Sequence, residues 1–275
     1  MNSDPMKVGI ILGSNSDIPP QLDLSEVILE TDFGPVPLWE SRGAGPNTLA
    51  IILRHGAGHA LLPHLVNHRA NIRALQQWGV ECIVSFSVVG VLDPKLPLAT
   101  PLIFEDVFFP SNQLPDGSTC TLFTQPNDPN RGHLLVSQAC SPRLRQHLIQ
   151  LLPDPLAYGI YGHVFGPRFS TQIELVYLTQ LGISAISQTS GPEFVLAGEA
   201  GLPYALVGFG VDYASPDPST RSSVGELNAN LKQWAQTLPL ILTRLYEYAW
   251  PQALEFDQGY FYRIAADLPS RQSSP

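Results

Sequence analysis

The chain of 275 residues is poor in charge, in cysteine and in long apolar runs. Only 14% of its residues are charged, against about 25% in an average soluble domain. The charge is mainly acidic, with a formal net value of −9, which argues against nucleic acid or an anionic membrane as the main partner. No apolar run reaches the ~18 residues of a membrane-spanning helix, so no such helix is predicted.

Cysteine is rare, and the three residues Cys82, Cys120 and Cys140 are odd in number and widely spaced. This pattern is typical of reduced thiols in a cytoplasmic protein, not of a disulfide framework or a zinc ribbon. The amino-terminal segment lacks a basic region before its short apolar stretch, so no signal peptide is predicted. We therefore expect a cytoplasmic protein.

Short apolar runs alternate with helical patterns, which is typical of an α/β fold with a mixed, mostly parallel central sheet flanked by helices. The predicted strands cover residues 6–12, 49–53, 82–89, 102–109, 158–165, 183–187 and 204–211. The predicted helices cover residues 63–78, 142–152, 170–181, 192–200 and 222–249. Gly79 is expected to cap the first helix, and Pro239 to kink or split the last. We expect one domain over 1–275, a long loop over 110–135 and a weakly patterned, fraying tail from about 250.

Polar residues follow several predicted strands at their carboxyl ends, where ligands bind in open α/β sheets. They are Ser14, Arg54, His55, Ser87, Thr189 and Asp212. An arginine, a histidine and three hydroxyls, together with nearby loop amides, suit a phosphate group. Strand ends are generally polar, however, so the alternative is that these residues share no pocket.

Four of the seven histidines, His55, His59, His64 and His68, lie within fourteen residues of one another. Glycines and a proline interrupt the helix that would align them, and no carboxylate or thiolate lies nearby in the sequence. Zinc sites normally need three or four convergent ligands, so capping and hydrogen-bonding roles are favoured over a metal site. We predict no metal and no organic cofactor.

Several common catalytic motifs are absent. The loop Gly13-Ser14-Asn15-Ser16 follows the first predicted strand, but neither G-x-G-x-x-G nor a G-K-[ST] ending is present. The nucleophile elbow G-x-S-x-G is also missing. These absences disfavour dinucleotide binding, ATP binding and Ser-His-Asp hydrolysis.

Two long segments carry a family resemblance, RHGAGHALLPHLVNHRANIRAL at 54–75 and GPRFSTQIELVYLTQLGISAISQTSGPE at 166–193. They resemble the trimeric purine nucleoside phosphorylase family, in its 5′-methylthioadenosine phosphorylase-like branch, and the similarity runs from about residue 7 to about residue 235. The resemblance implies a single-domain nucleoside phosphorylase fold, a homotrimer and a role in purine salvage. It also implies phosphorolysis of a purine nucleoside, with inorganic phosphate as co-substrate, to free base and (methylthio)ribose 1-phosphate.

The resemblance also implies a set of site residues. The phosphate ligands would be Ser14, Arg54, His55, Ser87, the Val88 amide and Thr189. The base and ribose would contact Phe169, Gln188, Asp212 and Ala214. The 5′ end would contact His133 of a neighbouring subunit, Val224 and Leu227. Asp212 and His55 would be catalytic, with Asp212 sharing or donating a proton toward purine N7 because burial raises its pKa.

Each of these roles has a plainer alternative on residue type alone. Phe169 is also typical of core packing. Asp212 is equally typical of a helix cap or a turn. Val224 and Leu227 would look the same as ordinary apolar residues of an amphipathic helix.

The chain departs from the family pattern around the expected pocket at Leu12, Asn15, Phe165, Gln188 and Ala214. Ala214 replaces an acid and removes an acceptor for a 6-amino group, which leaves the choice between a 6-amino and a 6-oxo base open. Loss of catalysis would produce the same changes, so a nucleoside-binding relative with weak or no turnover is the alternative function. Hydrolysis is a third hypothesis, disfavoured because the anion ligands are retained.

Overall fold

The computed structural model describes residues 5–14, 22–42, 45–250 and 254–264. The strands among them are β1 (Met6–Leu12), β2 (Leu24–Thr31), β3 (Gly34–Ser41), β4 (Asn47–Leu53), β5 (Cys82–Val91), β6 (Pro101–Ile103), β7 (Asp106–Phe108), β8 (Gly132–Val136), β9 (Ile160–His163), β10 (Ala185–Ser187), β11 (Tyr204–Tyr213) and β12 (Gly259–Arg263). The α-helices are α1 (His68–Trp78), α2 (Pro142–Leu151), α3 (Gln172–Gln180), α4 (Gly191–Glu199) and α5 (Val224–Glu247).

Within the described residues, ten strands form one mixed sheet with a parallel centre. Strand β1 runs parallel to both β4 and β5, and β11 runs parallel to β5. Antiparallel strands extend this centre, with β3 on β4, β6 on β11 and β10 on the last residues of β5. The carboxyl ends of β1, β4, β5 and β11 therefore meet at one edge, as the predicted α/β fold requires.

Helices cover both faces of the centre of this sheet, so β1, β4, β5 and β11 are largely buried on both sides and are mostly apolar. Helices α1 and α4 pack on the face that contains Ile11, whereas α2 and α5 pack on the face that contains Ile10. Adjacent residues of β1 thus enter different cores, as the period of two in a strand dictates.

The first predicted helix is divided in the structure. A single turn of 3₁₀ helix covers Pro63–Leu65, Val66 is extended, and α1 begins after Asn67. The Asn67 side chain accepts a hydrogen bond from the Ala70 amide and caps the helix. Gly79 ends α1 with a left-handed φ of 89°, which confirms the predicted cap.

The structure differs from the sequence-based predictions at several other places. The antiparallel hairpin of β2 and β3 was not predicted. The end of the predicted loop 110–135 enters β8, which pairs with β12, so the expected fraying is wrong for residues 259–263. The predicted strand 102–109 is divided into β6 and β7. Helix α5 continues through Pro239, so the proline does not split it, and the alternative of a kink stays a prediction.

The three cysteines are buried free thiols. Burial raises the pKa of each thiol, that of Cys140 to about 12, so they are poor nucleophiles at neutral pH. None of the described helices is both long enough and apolar enough to cross a membrane.

Candidate active site

A cavity of about 480 Å³ opens where β1, β5 and β11 end. Its size is in the range of small-molecule sites. Polar side chains from separate parts of the chain share its wall, namely Ser14, His55, Ser87, Ser187, Thr189 and Asp212. Most of the remaining wall is apolar and includes Leu62, Val88, Ile186, Val211 and Leu231. The structure therefore brings five of the six predicted strand-end residues into one pocket.

Arg54, the sixth, does not lie on the cavity wall. Its guanidinium pairs with the Glu193 carboxylate, with Nε 2.6 Å from Oε1 and Nη2 3.1 Å from Oε2. Nη2 also donates to Ser85 Oγ, and Nη1 donates to the Phe86 carbonyl. Nη1 lies 2.9 Å from the position that a Cβ on Gly13 would take, so residue 13 must be glycine for the guanidinium to fit. The role of Arg54 as a direct phosphate ligand stays a prediction.

His55 follows Arg54 and reaches the cavity as a neutral imidazole. Burial, and then the positive charge of Arg54, lower the pKa of His55 to about 4. Its Nδ1 lies 2.8 Å from the Leu61 carbonyl, which can only accept, so Nδ1 carries the hydrogen. Nε2 is then a hydrogen-bond acceptor for a P–OH group of the phosphate or for a nearby hydroxyl. The ring stacks on His59 at 4.2 Å between centroids.

The histidine-rich segment does not build a metal centre in the part of the chain that the structure describes. No three His, Cys, Asp or Glu side chains converge there. His55 hydrogen-bonds a carbonyl, and His68 is buried as the first residue of α1.

Hydroxyl groups line the part of the wall formed by β5 and the segment before α4. Ser87 Oγ lies 2.9 Å from Ser187 Oγ and 3.1 Å from the Val88 carbonyl. Thr189 is almost fully buried two residues before α4 begins. Ser14 lies in the turn that follows β1, whereas Asn15 lies outside the described residues.

Asp212 reaches the cavity because β11 is irregular near its end. The register of β11 against β5 shifts between Gly210 and Asp212, a local bulge of the kind that re-aims side chains. Val211 and Asp212 consequently both line the cavity, although neighbours in a regular strand face opposite ways. Burial raises the pKa of Asp212, as predicted. The residue lies inside a strand, which rules out the helix-cap alternative.

The segment around Phe169 forms the mouth of the cavity. Phe169 is 88% exposed and lines the cavity, so it is not a core residue. Gln188 also lines the cavity, and its Nε2 donates to the Arg168 carbonyl at 3.0 Å. The Gln188 amide therefore holds the segment that carries Phe169. Phe165 is half exposed and packs edge-to-face on His163, with centroids 5.3 Å apart.

Of the three residues predicted to contact the 5′ end of the nucleoside, only Leu227 lines the cavity. Leu227 lies on the cavity wall, with Leu231 one helical turn further along α5. Val224, the first residue of α5, is 73% exposed and does not line the cavity. His133 lies in β8, paired with Tyr262 of β12, and is also outside the cavity lining.

Ser187 and Glu193 were not predicted as site residues. Glu193 ends the second family segment and Ser187 precedes Gln188, so both lay inside a recognised motif. Their roles could not be inferred because they depend on distant partners, Ser87 for Ser187 at a separation of 100 residues and Arg54 for Glu193 at a separation of 139.

Known proteins are similar to this chain in sequence and in fold. The family model described as the phosphorylase superfamily matches residues 7–247. The chain is 32% identical over 233 residues to a probable 6-oxopurine nucleoside phosphorylase of Moorella thermoacetica, covering 81% of this chain and 85% of that one. It is 32% identical over 246 residues to the S-methyl-5′-thioadenosine phosphorylase of Caenorhabditis elegans, covering 85% of this chain and 83% of that one.

Solved structures agree with the sequence relatives. The methylthioadenosine phosphorylase of Schistosoma mansoni, in complex with adenine, superposes with a TM-score of 0.74 at 25% identity, over 87% of this chain and 90% of that chain. The family match covers most of the chain. The chain therefore belongs to the phosphorylase superfamily.

Proposed function

We propose that the protein catalyses the phosphorolysis of a purine nucleoside. Phosphate oxygen bonds to C1′ of the ribose as the C1′–N9 bond breaks, and the bonding pair leaves with the purine. The products are the free base and a sugar 1-phosphate. The observation that carries this proposal is that Ser14, His55, Ser87 and Thr189 share one cavity with the buried acid Asp212.

The phosphate would bind to the hydroxyls of Ser14, Ser87 and Thr189, to His55 and to the Val88 amide. Oriented donors in a cavity with apolar walls stabilise charge that develops in the transition state. Arg54 lies behind the cavity wall, beside Gly13 and bonded to the carbonyl before Ser87. The positive charge of Arg54 would act on the anion from there. Arg54 would also hold the turn at Gly13 close to Ser87.

The leaving base would be stabilised by Asp212. Burial raises the pKa of Asp212, so its carboxyl would hold a proton more readily than an exposed aspartate and would share it with purine N7 as negative charge grows on the base. Phe169 would pack on the base, and Gln188 would face the ribose. Ala214 offers no acceptor for a 6-amino group, so we propose a 6-oxopurine nucleoside as the better substrate, with Leu227 near the 5′ substituent.

The proposed enzyme is a cytoplasmic, single-domain homotrimer of purine salvage that needs phosphate as co-substrate and no other cofactor. Leu135 of β8 and Tyr260 and Tyr262 of β12 are exposed on one face of this strand pair, which supports a contact between subunits. His133 lies on the same pair of strands and would extend from one subunit toward the 5′ end of the nucleoside in the next.

The test is base release from methylthioadenosine, methylthioinosine, adenosine and inosine, each with and without phosphate. Release that depends on phosphate supports phosphorolysis, and faster release from the inosine compounds supports the 6-oxo preference. Release without phosphate would mean hydrolysis. Tight binding of a nucleoside with no release would favour the alternative, a nucleoside-binding relative, to which the changes at Phe165, Gln188 and Ala214 also point.

A further inference from the structure

A chain of hydrogen bonds leads from the beginning of α4 to the cavity. The amide of Ser190 donates to the Tyr161 phenol oxygen at 3.1 Å. The phenol oxygen lies 2.8 Å from Ser187 Oγ, and Ser187 Oγ lies 2.9 Å from Ser87 Oγ. Tyr161 itself does not line the cavity, but both serines do.

The direction of this chain follows from counting hydrogens. Tyr161 is fully buried, and burial raises its pKa, so the phenol keeps its single hydrogen at neutral pH. The Ser190 amide can only donate, so the phenol hydrogen goes to Ser187 Oγ. Ser187 then directs its own hydrogen toward Ser87 or the cavity, and Ser87 directs its hydrogen toward the cavity or the Val88 carbonyl.

The amino end of α4 sets the same direction. The first N–H groups of a helix carry a partial positive charge, and the row of hydrogen bonds starts at one of these groups, the amide of Ser190. Hydrogen bonds in series polarise one another, so each hydroxyl becomes a better donor than it would be alone. The arrangement therefore favours a cavity ligand that accepts hydrogen bonds, as an anion does.

We propose that Tyr161 and Ser187 are positioning residues for the phosphate site, which orient the hydroxyl of Ser87 as a donor to the anion. This inference rests on the proposed phosphorolysis. It adds to the phosphate site a buried phenol that does not contact the ligand. It predicts that the affinity for phosphate depends on Tyr161 more than the affinity for nucleoside does.

The test compares Tyr161→Phe and Ser187→Ala with the wild-type enzyme in base-release kinetics. Each variant breaks the chain, so we expect the KM for phosphate to rise about tenfold, as for a loss of about 1.4 kcal/mol of binding free energy. The KM for nucleoside should change less than about twofold, since the chain does not direct donors to the sugar or the base. Ser187→Thr keeps the hydroxyl and should restore most of the affinity for phosphate.

Tyr246→Phe is the matched control. Its phenol oxygen also accepts a main-chain hydrogen bond, from Gly45 at 2.9 Å, but it is outside the cavity lining. This variant should leave both KM values unchanged. If Tyr161→Phe does not fold, Ser187→Ala carries the test, because it leaves the bond between the Ser190 amide and the phenol intact.

The outcomes separate this inference from the proposed function. A wild-type enzyme that releases no base, or releases it without phosphate, would overturn the proposed function. A phosphate-dependent wild type whose variants keep the same KM for phosphate, or lose affinity for nucleoside and phosphate equally, would overturn the positioning role alone.

Discussion

The Arg54 guanidinium and the Glu193 carboxylate form a two-point ion pair in which neither side chain is more than 2% exposed. Glu193 Oε2 also accepts hydrogen bonds from Ser85 and Tyr204, so the pair is well satisfied. Burial lowers the pKa of Arg54, but Glu193 outweighs this effect and the net pKa is raised. The pair joins β4 to α4 and fixes a positive charge next to the cavity.

Glu193→Gln should destabilise the protein strongly because it leaves a buried charge without its partner. Losses of about 3–5 kcal/mol are typical when one member of a buried pair is removed. Urea unfolding measures the effect. Glu174→Gln is the control, since Arg168 and Glu174 pair at 2.7 Å on the surface, where the loss should be small. Equal losses for both variants would contradict the structural role assigned to Glu193.

Asp212→Asn should lower kcat for base release about 100-fold or more, the typical contribution of a positioned acid. The KM for phosphate should change little, because the amide keeps the shape of the side chain and the phosphate ligands are separate residues. Asp217→Asn alters an exposed aspartate five residues further on and should leave kcat unchanged. An Asp212→Asn variant with wild-type kcat would remove Asp212 from the mechanism.

Ala214→Asp should shift the substrate preference toward 6-aminopurine nucleosides. The added carboxylate supplies an acceptor on the cavity wall, and a hydrogen bond of about 1–3 kcal/mol corresponds to a change of roughly 5- to 150-fold in relative kcat/KM. The measured quantity is the ratio of kcat/KM for adenosine to that for inosine. A ratio unchanged from wild type would show that residue 214 does not read the base.

The free energy of unfolding should decrease as the pH is lowered below about 6.5. In this range several buried histidines stay neutral in the folded protein but become protonated in the unfolded chain. Burial lowers the pKa of His163 to about 3, of His55 to about 4 and of His68 well below its usual value. Between these values and about 6.5 the unfolded chain binds more protons, so each group costs about 1.4 kcal/mol per pH unit.

His68→Leu should flatten this dependence. Among the residues that the structure describes, neither ring nitrogen of His68 has a hydrogen-bond partner, so the variant loses none of the described bonds and removes one titrating group. Its unfolding free energy, measured from pH 7.5 to pH 5, should therefore fall less than that of the wild type. His64→Leu, which removes an exposed imidazole, should keep the wild-type slope. A steeper slope for His68→Leu would contradict the assignment.

Local sequence signals predicted much of the centre of the fold. Strand β1 has its predicted bounds, and Gly79 ends α1 as expected, because both depend on residues close in sequence. The pairing of β12 with β8 was missed because it joins segments more than 100 residues apart. All five residues of β12 are also partly or fully exposed, so the strand lacks a buried apolar face that would mark it.

Part of the candidate site could be predicted from the order of the strands, and part could not. The polar residues after the strands meet because parallel strands share one edge, which topology alone implies. The partner of Arg54 and the hydroxyl chain behind Ser87 depend on side-chain geometry between distant segments. No sequence spacing encodes those contacts.

The most direct test of the central claim is the phosphorus NMR spectrum of purified enzyme with inosine or methylthioinosine and inorganic phosphate. Phosphorolysis predicts a new sugar-phosphate ester signal that grows in step with the free base while inorganic phosphate decreases by the same amount. Free base that accumulates with no loss of inorganic phosphate would contradict the account.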